Sequence, residues 1–106
     1  MGNRLRVASM VLLAACALPA VAQDQGRALY EEKCAMCHRA GGMGTGLLAR
    51  RYPKGQEQLE SRAQLSAALV KSVVRGGLGN MPRLSRAEVS DEQLSAIASY
   101  LSKGTP

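Results

Sequence analysis

Five consecutive residues, Cys34-Ala35-Met36-Cys37-His38, hold the densest chemistry in this 106-residue chain. Two thiols separated by two residues and followed at once by an imidazole form the C-x-x-C-H pattern that attaches a heme covalently. On one helical turn the sulfurs are spaced to add across the two vinyl groups of a single porphyrin. The histidine then follows directly, so that it can offer a ring nitrogen to the iron. Other uses of paired cysteines fit less well. A redox dithiol usually opens a helix after a strand, whereas these cysteines come late in a helical stretch. Zinc needs further ligands, and His38 is the only histidine. The third cysteine, Cys16, sits in an N-terminal apolar segment.

A second axial ligand should come from farther along the chain. A thioether is soft and uncharged, and opposite a histidine it raises the potential of heme iron. Met1 and Met10 lie in the N-terminal segment, and Met36 lies inside the attachment turn and cannot reach the other face of the same heme. Met43 follows His38 by only five residues and should stay on the histidine side. Met81, in Asn80-Met81-Pro82, has a whole helix before it to carry the chain around, and Pro82 biases it toward an extended conformation. Met81 is therefore the expected distal ligand, Met43 the reserve candidate, and an open sixth position the third option.

The elements that must present these residues begin after an export signal. Arg4 and Arg6 precede an apolar run, Val7 to Leu18, that is too short to span a bilayer, and Ala20-Val21-Ala22 supplies a small-x-small cleavage site before Gln23. Residues 1–22 are expected to be removed, leaving a periplasmic domain of residues 23–106 with no membrane span. In a competing reading, Leu13-Ala14-Ala15-Cys16 is a lipobox and Cys16 becomes an acylated anchor. Cleavage after Ala22 would take Arg4 and Arg6 from 14 basic residues set against 8 acidic ones, lowering the formal charge from +6 to +4. Two ionised heme propionates lower it further. That charge is too modest to argue for nucleic acid, and three tyrosines with no Phe or Trp give no aromatic platform for bases. So few aromatics also leave a small domain short of core volume, which a buried porphyrin would supply.

Helical periodicity dominates the rest. Asp24 can cap a first helix that runs into the cysteines, with Ala28, Leu29 and Cys34 on one face. Ser61-Arg62-Ala63-Gln64 has capping-box form ahead of Leu65, Ala68, Leu69 and Val73, and Gly76-Gly77 ends that run. Ser90-Asp91-Glu92-Gln93 repeats the box before Leu94, Ile97, Ala98 and Leu101, and Lys103-Gly104 closes it. Two loops, the glycine-rich Ala40 to Gly46 and Gly76 to Pro82, are left to wrap the cofactor. No segment alternates with period two for long enough to be a strand, so the fold class is all-α.

Taken together these motifs resemble the small class I bacterial cytochromes c. The resemblance rests on Gly26-x-x-Leu29-Tyr30 before C-x-x-C-H, the glycine loop, Asn80-Met81-Pro82, and Tyr100-Leu101 in the last helix. It implies a class I cytochrome c fold with one covalent heme c, ligation by His38 and Met81, one-electron transfer, and crossing of the first and last helices through Gly26 and Tyr100. Where the family often has a proline after the glycine loop this chain has Leu47, whose carbonyl or a neighbour's is expected to orient His38. The Val74-Arg75-Gly76-Gly77 to Met81-Pro82 stretch further resembles the cytochrome subunits of p-cresol methylhydroxylase-type flavocytochromes. That similarity implies a periplasmic dehydrogenase, such as a flavoprotein, as electron donor and a downstream cytochrome or oxidase as acceptor. The alternative from another class is a heme enzyme or small-ligand sensor with an open sixth iron position, for which no second histidine is present. Arg39, Arg50, Arg51, Lys54, Arg75, Arg83 and Arg86 lie in or beside the wrapping segments, so a basic rim for docking an acidic partner is expected.

Overall fold

The computed structural model describes residues 17–106; the basic start of the export signal, the lipobox and Cys16 lie outside the described residues. Helix α1 (Ala17–Lys33) runs almost without a break into the short α2 (Ala35–His38), and α3 (Met43–Ala49) follows after a tight turn. A 3-10 turn (Leu59–Ser61) precedes α4 (Ala67–Gly76), and α5 (Asp91–Ser102) completes the fold. Extended pairing among the described residues is limited to one isolated bridge, Leu78 to Met81, so the domain is all-α as the periodicity indicates. None of the described helices is long and apolar enough to cross a membrane.

Helix α5 forms as its sequence dictates. The Ser90 hydroxyl accepts from the Gln93 amide and the Gln93 side chain accepts from the Ser90 amide, a complete capping box. Asp91 and Glu92 occupy the positive end of the helix dipole. Leu94, Ile97, Ala98 and Leu101 make one buried stripe, and Lys103 in the left-handed region followed by Gly104 ends the helix. α1 crosses α5 at Gly26, where an added Cβ would fall 2.7 Å from the Tyr100 Cβ and still closer to the Ala96 carbonyl. Only glycine lets the two backbones approach this closely. One turn on, the rings of Tyr30 and Tyr100 pack at 5.9 Å between centroids, tilted by 50°.

Three local expectations are corrected. Asp24 does not cap α1, which already runs from Ala17; it is an exposed residue within the helix. The Ser61 box does not form, because Ser61 closes the 3-10 turn and Ser66 caps α4 instead, its hydroxyl accepting from the Leu69 amide. Leu65 just before that cap and Val70 four residues into the helix are buried in one cluster, the arrangement of a hydrophobic staple. The buried stripe of α4 is Val70 and Val74, one residue on from the expected Leu69 and Val73, and Leu69 stays 48% exposed. The glycine stretch is also not one loop: after Gly41 (φ +77°) and Gly42, α3 begins inside it.

The core therefore sits between α1, α4 and α5: Tyr30, Leu65, Val70, Val74, Val89, Leu94, Ile97, Ala98 and Leu101. Cys34 and Met81 both stand at its margin, reached from different elements.

Candidate heme-binding site

Cys34 extends α1 by one residue, its amide donating to the Tyr30 carbonyl at 2.9 Å. Its own carbonyl then accepts from the amides of Cys37 (3.2 Å) and His38 (3.0 Å), which makes the attachment motif one helical turn. The turn is closed from the other side as well. The Arg39 carbonyl accepts from the Thr45 hydroxyl (2.8 Å) and the Gly42 amide (2.9 Å), and the Tyr30 hydroxyl lies 3.4 Å from the His38 carbonyl. Gly42 and Gly44 press onto this turn. A Cβ on Gly42 would collide with the Cys37 carbonyl, and one on Gly44 would lie 3.2 Å from His38 Cε1. These two glycines thus serve the approach of α3 to the imidazole.

Cys34 and Cys37 form no disulfide, and both are half-buried. Burial, reinforced by the neighbouring Cys37, pushes the Cys34 thiol up to about 11. A reactive redox dithiol needs the opposite shift, so this environment does not suit thiol–disulfide exchange. Among the described residues no three or more Cys, His, Asp or Glu are grouped as a metal-ion cluster would need. Burial lowers the His38 pKa and the positive charge of Arg62 lowers it further, keeping the imidazole neutral and able to donate a lone pair.

The expected contact from Leu47 to His38 is absent. His38 Nδ1 is buried without a hydrogen-bond partner, and the Leu47 carbonyl instead accepts from the Arg50 amide at the end of α3. Arg62 carries a second buried, unpartnered polar atom, Nη2, although its Nε donates to the Gln56 carbonyl (2.7 Å) and its guanidinium stacks 3.7 Å over the Tyr52 ring. Sequence reasoning missed Arg62, whose partners lie six and ten residues upstream in an irregular segment without periodicity. Paired thiols one turn apart, a neutral imidazole beside them and a half-buried Arg62 with one unpartnered nitrogen fit an iron porphyrin with carboxylate side chains.

The methionines differ sharply. Met36 is 80% exposed and Met43, the first residue of α3, is 70% exposed. Met81 is half-buried against the core and stands on a tight turn, where the amides and carbonyls of Leu78 and Met81 exchange hydrogen bonds of 3.0 and 2.9 Å. Gly79 (φ +55°) and Asn80 make the bend. At the neck of this loop Gly77 (φ +74°) leaves room for the Met81 carbonyl, 3.0 Å from where its Cβ would be.

Residues 21–101 match the family model described as "Cytochrome C oxidase, cbb3-type, subunit III", which covers well over half of the chain. The chain belongs to this cytochrome c family. A cytochrome of this kind is an electron-transfer domain, and heme is its cofactor. The domain is also 33% identical over 78 residues to the cytochrome c subunit of 4-cresol dehydrogenase [hydroxylating] from Pseudomonas putida. That alignment takes in 73% of this cytochrome but only 58% of its relative. No solved structure matches it.

The basic rim needs revision. Arg75 is drawn inward, bonded to Asp91 Oδ1 (2.8 Å) and to two backbone carbonyls, and Arg86 pairs with Asp91 Oδ2 (2.9 Å). Both arginines serve the fold around the Met81 loop, because Asp91 at the α5 N-terminus offers them one carboxylate. Arg39, Arg50, Arg51, Lys54 and Arg83 remain exposed and make no ion pair among the described residues.

Proposed function

We propose that this cytochrome is a periplasmic one-electron carrier that holds a single heme c through thioethers to Cys34 and Cys37, with His38 and Met81 as axial ligands. The observation that carries the reading is the attachment turn: two thiols one helical turn apart with a half-buried, neutral His38 directly after them. Bound there, the heme supplies one reversible oxidation step at iron. His38 would hold the iron through Nε2, and Gly44, packed against its ring, limits how the imidazole can turn. Met81 supports the distal assignment by its half-burial at the same core margin as Cys34, where Met43 faces solvent. Arg62 Nη2 is a donor suited to a heme carboxylate. Export rests on residues 1–22, and the donor reading on the relative that serves a dehydrogenase. A periplasmic dehydrogenase, for instance a flavoprotein, would reduce the carrier and a downstream cytochrome or oxidase would oxidise it. Oxidised and reduced absorption spectra test the site. The expected ferric protein is low-spin with a weak far-red sulfur-to-iron band, whereas a high-spin spectrum would establish an open sixth position.

A further inference from the structure

The loop that presents Met81 packs Met81 and Leu84 against the core and is pinned by hydrogen bonds at its tip and at its neck, where one side chain adds three of them. Its tip is the Leu78–Met81 turn. Its neck is closed where the Leu84 amide donates to the Val74 carbonyl (2.9 Å) and the Gly77 amide to the Val73 carbonyl (2.8 Å). Arg75 spans this neck from the last turn of α4. Nη1 donates to the Leu84 carbonyl (3.0 Å), and Nη2 donates to the Val89 carbonyl (2.9 Å) and to Asp91 Oδ1 (2.8 Å). The side chain is only 21% exposed, and Arg86 holds the second oxygen of Asp91 at 2.9 Å. One planar guanidinium thus fastens the end of α4, the returning limb of the loop, the turn before α5 and the α5 N-terminus to one another.

We infer that Arg75 is a positioning residue for Met81: by locking the neck of the loop it fixes how firmly the thioether is held against the iron. The inference rests on Met81 being the distal ligand. A thioether bound to iron competes with any other ligand that can enter when the loop opens, so the affinity of an added ligand reads the open population. Charged hydrogen bonds to part-buried carbonyls are the strongest contacts at the neck, and the lysine ammonium, lacking the planar fork, cannot make all three in this geometry.

The test is titration of ferric, heme-loaded protein with imidazole, alongside the far-red band. Arg75→Met should tighten apparent imidazole binding by about tenfold or more and weaken the band, the loss of one charged hydrogen bond being enough for that factor. Arg75→Lys should recover part of the difference, and Asp91→Asn, which leaves both carbonyl contacts, should shift binding less than Arg75→Met. Gly26→Ala is the comparison for mere destabilisation: it strains the α1–α5 crossing without touching any partner of Arg75, and should lower resistance to denaturant while leaving imidazole affinity unchanged. Should Arg75→Met fail to retain heme, Arg75→Lys against Gly26→Ala carries the same contrast. Imidazole affinity unchanged by the Arg75 substitutions, or raised equally by Gly26→Ala, overturns the inference. Absence of the band from the unsubstituted protein overturns the Met81 assignment, and this inference with it.

Discussion

The attachment turn and the Met81 loop are held by contacts of different reach. Cys34 to His38 are anchored within a few residues on each side, by the end of α1 upstream and by Gly42 and Thr45 downstream. The Met81 loop is anchored by Arg75, whose partners Leu84, Val89 and Asp91 lie 9, 14 and 16 residues away. A locally fastened element keeps its form whenever its helix forms, while one fastened across the fold opens when any distant partner is lost. The histidine side should accordingly be the fixed wall of the site and the methionine side the adjustable one.

Substitutions that strike the two walls should separate them. The largest effect is expected from His38→Ala, which on the proposed ligation removes the iron's nitrogen ligand while both thioethers survive. Heme should stay on the polypeptide but the low-spin spectrum should be lost. Met81→Ala should be milder: the far-red band disappears, the reduction potential falls and imidazole or cyanide binds, with His38 ligation intact. Met43→Ala should change none of these, and if it does, the distal ligand is Met43. Next comes the crossing behind the fixed wall. Gly26→Ala forces a methyl into the Ala96 carbonyl and Tyr100 and should cost about 1–3 kcal/mol, read as a lower denaturant midpoint at unchanged slope.

A pH effect falls on that same crossing. Burial pushes the Tyr100 hydroxyl up to about 12, aided by the Glu60 carboxylate that accepts its hydrogen bond, and burial raises Tyr30 as well. The unfolded chain releases these protons from pH 10.0 upward while the folded chain keeps them, so stability is full below that value and lost as pH rises toward about 12. Denaturant midpoints measured across this range should fall, and Tyr100→Phe should make the fall shallower. The smallest effect belongs to the surface. With Arg75 and Arg86 engaged in the fold, any steering of an acidic dehydrogenase falls to Arg39, Arg50, Arg51, Lys54 and Arg83. Arg50→Glu should flatten the salt dependence of the electron-transfer rate, since exposed charges are screened over about 10 Å at 0.1 M ionic strength, without changing the spectrum. A rate indifferent to salt in both proteins would leave these cations as ordinary solvated charges.

The same contrast in reach decided what could be read from the sequence. The attachment motif is contiguous, and the α5 box and stripe are local, so Ser90, Gln93 and the Leu94 to Leu101 face stand where periodicity puts them. The Gly26 and Tyr100 crossing was legible only through the family resemblance, because nothing in either helix alone names its partner. The α4 start was misread because Ser61 and Ser66 both have cap chemistry, and the burial of Leu65 with Val70 chose between them. Arg75 looked like a surface charge, since its three acceptors include two backbone carbonyls that no sequence pattern marks. Arg62 was hidden for the same reason, its stack on Tyr52 and bond to Gln56 depending on how an irregular segment folds.

The most direct test of the central claim is the intact mass of protein made in a host that exports the chain and attaches heme to it, before and after acid-acetone extraction. One heme should remain on the polypeptide after extraction and be lost as covalent mass when Cys34 and Cys37 are both replaced by serine, on a chain that begins at Gln23. Heme that extracts freely, or bound zinc in its place, would contradict the account.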